Sequence, residues 1–410
     1  MSTLLKIFIT SLCTFTLLQA NETLPVANNF DELFSKGKIS GQIEAMYTGH
    51  DIENNEDPYS TGIGGQLKYE TAILDGFNAG FEFTTVHEID GISGDTQEKR
   101  ASILVSPDGS YTELSQSYIN YNHENLNFRI GRQLIDTPLA DSDDFRIIDN
   151  TFEAAIASYE TSELLFMLGY LDRWQGTDAG LDKDEPWQET GRNGTYFGGV
   201  SYAWHLFDAY AWYYDISGSL GDQTANRSTY VDARLHLNIN KDLSLHTSAQ
   251  YLKQSENDRS NIDADLYGLM LDVSVYTDLS LFLAYNKRVA DDTKTSFAGF
   301  GGGVLYTNMA NMLIDAMVGG DAEATVAGIT YIMSNFSVYY IYGMFDRDQT
   351  AILVKEEIIE HNIGAHYNFN KNLMFSAILT IDDNKENTDS NAMYTGGDFK
   401  NLVVSLAYTF

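Results

Sequence analysis

Apolar and polar residues alternate along most of this 410-residue chain with a period of two. In residues 40–48, glycine, isoleucine, alanine and tyrosine alternate with residues that are mostly polar. In residues 231–239, every second residue is apolar, and Asp232, Arg234 and His236 occupy positions between them. A strand directs successive side chains to opposite faces, so these stretches predict strands with one apolar and one charged face. Because the charges lie well inside the strands, the polar face must contact water.

Two kinds of connection separate the predicted strands. Short polar breaks that leave room only for a tight hairpin occur near Asp75, His123, Thr161, His205, Lys241, Thr277, Ser334 and Lys371. Long, mostly acidic breaks cover residues 51–60, 88–112, 136–150, 173–192, 217–228, 255–263, 289–322, 346–353 and 383–398. Nine long and eight short connections predict 18 strands, with 16 as the alternative number, and they place both termini on the side of the short turns.

Aromatic residues flank the short turns and end the chain. They are Phe77, Tyr121, Phe128, Tyr159, Trp204, Phe207, Tyr276, Phe282, Tyr331, Phe336, Phe369, Phe375, Tyr408 and Phe410. A ring of aromatic side chains at one height is typical of a membrane interface. The pattern therefore predicts an all-β, transmembrane antiparallel β-barrel with long extracellular loops, short periplasmic turns and a water-filled lumen. The alternative, a secreted soluble β-sandwich or β-helix, explains neither the two kinds of connection nor the aromatic ring.

The first 20 residues have the features of a secretory signal peptide. Lys6 precedes a short apolar run, and small residues follow it. We expect residues 21–37 to form a short periplasmic lead-in and residues 38–410 to form one barrel. Cys13, the only cysteine, lies in the signal peptide, so the exported chain is not a disulfide scaffold.

The chain is strongly acidic. Its 25 basic and 58 acidic residues give a net charge of −33, and removal of Lys6 with the signal peptide makes it −34. A charge of this sign excludes nucleic acid as an expected partner and favours cations.

Four stretches resemble the OprD-like family of outer-membrane porins, including the major outer-membrane porins of ε-proteobacteria. They are NNFDELFSKGKISGQIEAMY from Asn28, FRIGRQLIDTPLADSDDFRIIDNTFEAAIASYE from Phe128, GFGGGVLYTNM from Gly299, and the last strand, which ends at Phe410. Val304 departs from the family pattern, in which proline follows the glycines. The resemblance implies an 18-stranded, trimeric pore, and it implies that Phe410 is the signal for the barrel-assembly machinery.

The resemblance also implies that the third loop, residues 135–150, folds into the lumen. Alternation directs Phe128 and Ile130 outward and Arg129 inward. If the loop folds inward, its carboxylates face basic wall residues and form a cation-favouring constriction; the alternative is a solvated acidic loop that stays outside the lumen. The predicted constriction comprises Arg129, Arg132, Asp136, Asp141, Asp143, Asp144, Arg146 and Asp149. No cofactor is required, but the clustered oxygens of Asp141, Asp143 and Asp144 are candidate ligands for Ca²⁺.

Parity alone predicts which charged side chains line the wall of the lumen. They are Glu44, Lys68, Glu70, Glu82, Asp232, Arg234, His236, His246, Asp272, Arg288 and Glu360. A turn at Lys241 would bring His236 opposite His246. Two histidines could hold Zn²⁺, but no third ligand is evident, so we favour pore-lining groups that titrate. The seventh long connection, residues 289–322, is rich in glycine but lacks the Lys-Ser/Thr of a phosphate-binding loop. We expect this seventh loop to be mobile or folded over the mouth of the barrel.

The sequence predicts a porin for passive diffusion of small hydrophilic solutes and cations across the bacterial outer membrane, reached by export through the periplasm. One alternative is a selective channel for small carboxylate-type solutes or peptides, and another is an adhesin-like barrel. No catalytic constellation is evident, so we do not expect an enzyme. The expected partners are two further copies of the chain, lipopolysaccharide, outer-membrane lipid and the barrel-assembly machinery.

Overall fold

The structure, a computed structural model, describes most of the chain beyond the predicted signal peptide. The described residues are 24–53, 56–96, 99–101, 104, 110–142, 146–180, 187–218, 224–316, 319–350, 355–384 and 398–410. The signal peptide predicted at residues 1–20 lies outside them, and so do Asp143 and Asp144 of the predicted constriction.

Within the described residues, 18 long strands form one antiparallel sheet that closes on itself. The strands are β1 Lys38–Ile52, β2 Tyr59–Glu70, β3 Phe77–Glu88, β4 Ser110–His123, β5 Leu126–Gln133, β6 Thr151–Glu160, β7 Leu164–Gln175, β8 Thr195–Trp204, β9 Phe207–Ile216, β10 Asn226–Asn240, β11 Leu243–Glu256, β12 Ala264–Val275, β13 Leu279–Val289, β14 Ala322–Met333, β15 Phe336–Arg347, β16 Glu356–Asn368, β17 Leu373–Asn384 and β18 Phe399–Thr409. β18 pairs with β1, from Gln42 opposite Thr409 to Ile52 opposite Phe399. The predicted number of 18 strands is therefore confirmed, and the alternative of 16 is wrong.

Short and long connections alternate as predicted. The shortest turns contain two residues. Examples are the turn at Glu124 between β4 and β5 and the turn at Ser334 between β14 and β15. Both residues adopt positive φ, as tight hairpins require. The long loops contain small elements: 3₁₀-helices at Asp90–Ile92 and Ile314–Ala316, a hairpin that pairs Asp136–Thr137 with Ala140–Asp141, and a strand at Gln188–Glu189 that pairs with the end of β7.

The two faces of the wall differ in the way the alternation predicts. On β18, Leu402 and Leu406 are exposed on the outer face, whereas Val403 and Ser405 are buried on the inner face. On β10, Val231 and Leu235 are exposed, and Asp232 and Arg234 are buried inside. The outer surface is apolar and the interior polar, which is the arrangement of a barrel that stands in lipid.

A short helix, α1 Phe30–Ser35, precedes β1. Asn29 caps it, because its side-chain oxygen accepts a hydrogen bond from the Glu32 backbone N–H. None of the helices in the described part of the chain is long and apolar enough to cross a bilayer.

An apolar cluster lies inside the barrel, against the inner face of the wall. It joins Leu139 and Ala140 of the third loop, Phe300 and Leu305 of the seventh loop, and wall residues such as Trp212 on β9. Because water would otherwise fill this space, the cluster fixes both loops inside the barrel rather than above it.

Candidate functional site: the lumen and its two inner loops

The described residues of the third loop, 134–142 and 146–150, lie in the interior of the barrel. Its small hairpin is fastened to the seventh loop, because the Asp141 N–H donates to the Phe300 carbonyl at 2.9 Å and the Phe300 N–H donates to the Leu139 carbonyl at 2.9 Å. At its far end, Asp149 Oδ2 accepts a hydrogen bond at 2.7 Å from Gln66 Nε2 on β2. The loop therefore reaches from β5 to a distant part of the wall.

Two isoleucines anchor the same loop. Ile147 and Ile148 are buried in a cluster with inner-face residues of distant strands, among them Met46 on β1, Val86 on β3 and Ile378 on β17. This apolar contact holds the chain across the lumen, so the neighbouring acidic residues are placed on a fixed backbone.

The described residues of the seventh loop, 290–316 and 319–321, also contact the inner face of the barrel, which differs from the expectation of a mobile loop or one folded over the mouth. The Tyr306 hydroxyl donates to Asp232 Oδ2 at 2.7 Å, and the Thr307 N–H donates to Asn286 Oδ1 at 3.1 Å. Burial, and then the charge of Asp232, raise the pKa of Tyr306, so this hydroxyl keeps its proton and remains a donor.

The predicted wall residue Arg288 holds this loop rather than lining open water. Its guanidinium is fully buried and donates to the carbonyls of Ile314 at 3.2 Å, Gly319 at 2.9 Å and Gly320 at 3.1 Å. The alternation along the strand correctly predicts that the Arg288 side chain points inward. It does not predict that the seventh loop covers this side chain.

Glu360 is covered by the seventh loop as well. It stands opposite Asp382 across β16 and β17, and both carboxylates are buried. The Asn311 N–H donates to Glu360 Oε1 at 3.1 Å, and Asn311 Nδ2 donates to Asp382 Oδ2 at 3.0 Å. One asparagine of the loop therefore binds both acids of the wall.

Four predicted residues come together around a tyrosine that the sequence analysis did not single out. Tyr118 on β4 donates to Glu70 Oε1 at 2.5 Å, and its ring lies 4.4 Å from the Arg129 guanidinium and 5.7 Å from the Lys68 ammonium. Glu82 lies directly opposite Lys68 in the β2–β3 register. We call Lys68, Glu70, Glu82, Tyr118 and Arg129 the tyrosine cluster; its aromatic face is covered by cations.

Neutral groups hold the carboxylate of Glu82. Ser115 Oγ donates to Glu82 Oε1 at 2.9 Å and Gln116 Nε2 donates to Glu82 Oε2 at 2.8 Å. Both donors are neutral side chains, and so is Gln66, which donates to Asp149.

Three further predicted residues form a row with Asp208 across four strands near the periplasmic end. His236 lies opposite His246, with ring centroids 4.8 Å apart. His236 Nε2 is 2.6 Å from Asp208 Oδ2, and His246 Nδ1 is 3.7 Å from Asp272 Oδ1. Among the residues that the structure describes, no group of three or more His, Cys, Asp or Glu is arranged to hold a metal ion.

Asp232 and Arg234 lie next to this row on β10. Arg234 Nε donates to Asp232 Oδ1 at 2.9 Å, and its guanidinium lies 5.1 Å from the centre of the Tyr210 ring. The arginine is thus neutralised by its own strand. The remaining predicted wall residue, Glu44, is buried on the inner face and accepts from Gln42 Nε2 at 3.0 Å.

Arg132 of the predicted constriction contacts the wall and the fourth loop. It follows the exposed Ile130 at the same parity and pairs with Glu153, to which its Nε donates at 2.9 Å. The Trp187 ring covers its guanidinium at 4.5 Å. Arg132 has the same parity as Phe128 and Ile130, so alternation along β5 directs its side chain outward.

The other constriction candidates have mixed surroundings. Arg146 pairs with Asp178 of the fourth loop at 2.6 Å, and Asp136 lies opposite Asp141 in the small hairpin. Asp143 and Asp144 are outside the described residues. The Ca²⁺ site at Asp141 and these two residues therefore stays a prediction.

The comparisons with known proteins agree with this architecture. A family model described as "outer membrane porin, OprD family" matches residues 104–315. No curated protein matches the chain at a significant level.

Solved barrels share the fold at low sequence identity. Acinetobacter baumannii OccAB2 superposes with a TM-score of 0.77 at 15% identity, covering 92% of this chain and 99% of that one. Pseudomonas aeruginosa OpdK, solved with vanillate, gives 0.75 at 14% over 92% and 99%. Pseudomonas aeruginosa OpdQ gives 0.73 at 15% over 93% and 99%.

Proposed function

Because the chain belongs to the OprD family of outer-membrane porins, we propose that it is a pore for passive diffusion of small hydrophilic solutes and that it favours cations. As a family member it is a channel of the bacterial outer membrane and a transport protein, not an enzyme. The barrel replaces the hydrocarbon barrier with water, and the two inner loops set the width and the charge of the path.

The observation that carries the cation preference is the way two acidic side chains are held. Glu82 on the wall and Asp149 on the third loop each accept hydrogen bonds from neutral donors, at 2.8 Å from Gln116 and 2.7 Å from Gln66. The basic groups Arg234 and Lys68 lie beside the carboxylates of Asp232 and Glu70. The wall and the third loop thus both carry carboxylates inside the barrel, and the net charge of the whole chain, −33, has the same sign.

The test is the reversal potential in a KCl gradient across a planar bilayer. A carboxylate changes the energy of an ion about 8 Å away in water by about 0.5 kcal/mol, which is about twofold in permeability. We expect the double variant Glu82→Gln/Asp149→Asn to lower the cation-to-anion permeability ratio by roughly the product of two such factors. Glu124→Gln, in an exposed periplasmic turn, should leave the ratio unchanged. An unchanged ratio in the double variant would reject the proposed cation preference.

The tyrosine cluster favours a second candidate, a selective channel for small carboxylates. Arg129 and Lys68 both lie against Tyr118, and an aromatic ring beside two cations suits an aromatic acid. The structural neighbour OpdK was solved with vanillate, which is such an acid. If micromolar vanillate blocks the current and Arg129→Gln removes the block, the selective channel replaces the general pore.

We also propose the assembly and contacts that the sequence resemblance implies. These are a kinship with the major porins of ε-proteobacteria, a homotrimer, contact with lipopolysaccharide, assembly by the barrel-assembly machinery, and Ca²⁺ at Asp141, Asp143 and Asp144. The mass of the detergent-purified protein tests whether it is a trimer. A Ca²⁺ titration of the parent and of the variant with Asp141, Asp143 and Asp144 all changed to Asn tests whether these residues bind the ion. A monomeric mass, or equal titrations, would reject the respective proposal.

A further inference from the structure

We propose that helix α1 is an interfacial membrane anchor, and that Phe30 and Phe34 insert among the acyl chains of the periplasmic leaflet. The proposal concerns the outer surface of the barrel, so it does not depend on the solutes that the lumen conducts. It rests on three observations: the place of the helix, its two faces, and the wall that it continues.

Contacts with the first periplasmic turn fix the place of the helix. The Ala27 N–H donates to the Ile73 carbonyl at 2.7 Å, and the Ala72 N–H donates to the Leu33 carbonyl at 2.9 Å. The Tyr69 hydroxyl donates to the Phe34 carbonyl at 2.5 Å. Tyr69 has the same parity as the exposed Leu67 on β2, so the helix is attached to the outer, lipid-facing side of the wall and not to the mouth of the lumen.

The helix has one apolar and one charged face. Phe30 and Phe34 are one turn apart and are 72% and 57% exposed, an unusual exposure for two neighbouring phenylalanines. On the opposite side, Glu32 and Lys36 form an ion pair at 2.9 Å, and the exposed Asp31 and Ser35 lie between the two faces. Such a division is typical of helices that lie in the plane of a membrane interface.

The apolar face of the helix continues the lipid-facing wall. At the start of β1, Ile39 is 67% exposed. The ring of Phe410 lies beside Gly41, where β18 pairs with β1. Phe77, which opens β3 after the same turn, is exposed as well. Since the surface on both sides of the helix contacts lipid, acyl chains are the occupant that this continuity indicates for Phe30 and Phe34.

Site-directed spin labelling tests the anchor without interference from native cysteines, because the only one, Cys13, lies in the predicted signal peptide. Labels would be placed at Phe30→Cys and Phe34→Cys in the protein without the predicted signal peptide, refolded into phospholipid vesicles. Asp31→Cys and Ser35→Cys, on the polar flank of the helix, are matched controls, and Ile43→Cys on the wall is the lipid reference. Accessibility to oxygen and to a water-soluble nickel complex would be measured at each site.

We expect a several-fold higher oxygen-to-nickel ratio at positions 30 and 34 than at 31 and 35, approaching the ratio at 43. Equal ratios at all four helix positions would overturn the proposal. Low accessibility to both reagents at 30 and 34 would also overturn it, since a protein partner would then cover the face. A Phe34→Trp variant in a Trp204→Phe background provides a second measurement. The fluorescence that Phe34→Trp adds to this background should be quenched by brominated lipid and only weakly by aqueous acrylamide, and the reverse pattern would reject the anchor.

Discussion

At the scale of single residues, the tyrosine cluster depends on a glycine. Gly80 on β3 stands directly opposite Tyr118 on β4, and a Cβ at Gly80 would overlap the tyrosine ring. The missing side chain lets the ring lie flat against the wall, where it contacts Lys68 and Arg129. A residue without a functional group thus positions three that have one.

We therefore predict that Gly80→Ala displaces the Tyr118 ring into the lumen. The overlap should lower the free energy of unfolding by about 1–3 kcal/mol, as overpacking of a filled site usually does. The displaced ring should also reduce single-channel conductance. Urea titration of the barrel in vesicles and bilayer recording measure the two effects.

Gly91→Ala is the matched control, because nothing lies within 4 Å of a Cβ at that position. It should change stability by no more than about 0.5 kcal/mol. The double variant Gly80→Ala/Tyr118→Ser removes the overlapping ring and should recover most of the lost conductance. If Gly80→Ala conducts like the parent, the tyrosine ring is not held by the glycine.

At the scale of elements, the third and seventh loops both narrow the barrel, but different contacts hold them. The third loop is held by apolar contacts at Ile147 and Ile148, whereas the seventh combines apolar contacts with hydrogen bonds to polar side chains of the wall. Because Arg288 alone makes three of these hydrogen bonds, a single substitution can test how the seventh loop is held.

We predict that Arg288→Met releases part of the seventh loop. The carbonyls of Ile314, Gly319 and Gly320 lose their buried donor, which costs about 1–3 kcal/mol for each group that water does not reach. The expected results are lower stability and a larger, noisier single-channel current. Both are read from the same urea titrations and bilayer recordings.

Arg227→Met is the control for removal of an arginine, because Arg227 is exposed on the outer face, 3.7 Å from Asp215. It should leave the current unchanged. A quiet, parent-like current in Arg288→Met would contradict the assignment of Arg288 as the anchor of the seventh loop.

At the scale of the whole molecule, Phe410 takes part in closing the barrel. The Gly41 N–H donates to the Phe410 carbonyl at 3.1 Å and the Phe410 N–H donates to the Gly41 carbonyl at 3.0 Å, so Phe410 completes the seam between β1 and β18. The same residue is the predicted signal for the assembly machinery. Closure and recognition are two separable roles.

We predict that Phe410→Ser lowers the amount of folded barrel in the outer membrane, because the aromatic signal is lost while the backbone seam is kept. The measure is the heat-modifiable band of the membrane fraction on gels. Purified Phe410→Ser should refold into vesicles as the parent does, since no machinery is present there. Equal refolding defects in cells and in vesicles would instead assign Phe410 to the seam alone.

The positions of strands and turns were predictable because each depends on local alternation. A wall residue meets lipid or the interior according to its parity, so Leu402 and Ser405, or Val231 and Asp232, separate without knowledge of distant residues. The same rule, applied one residue pair further along β5, would have directed Arg132 outward.

The sequence by itself therefore determined the barrel, its 18 strands and the parity of its wall, because these follow from a period of two repeated along the chain. Only the tertiary structure decided which inward side chains stay in contact with water. Arg288 and Glu360 are covered by a loop whose contacts join residues far apart in sequence, such as Asn311 and Asp382. Local alternation carries no information about such pairs, since they are set by the path that the loops take through the interior.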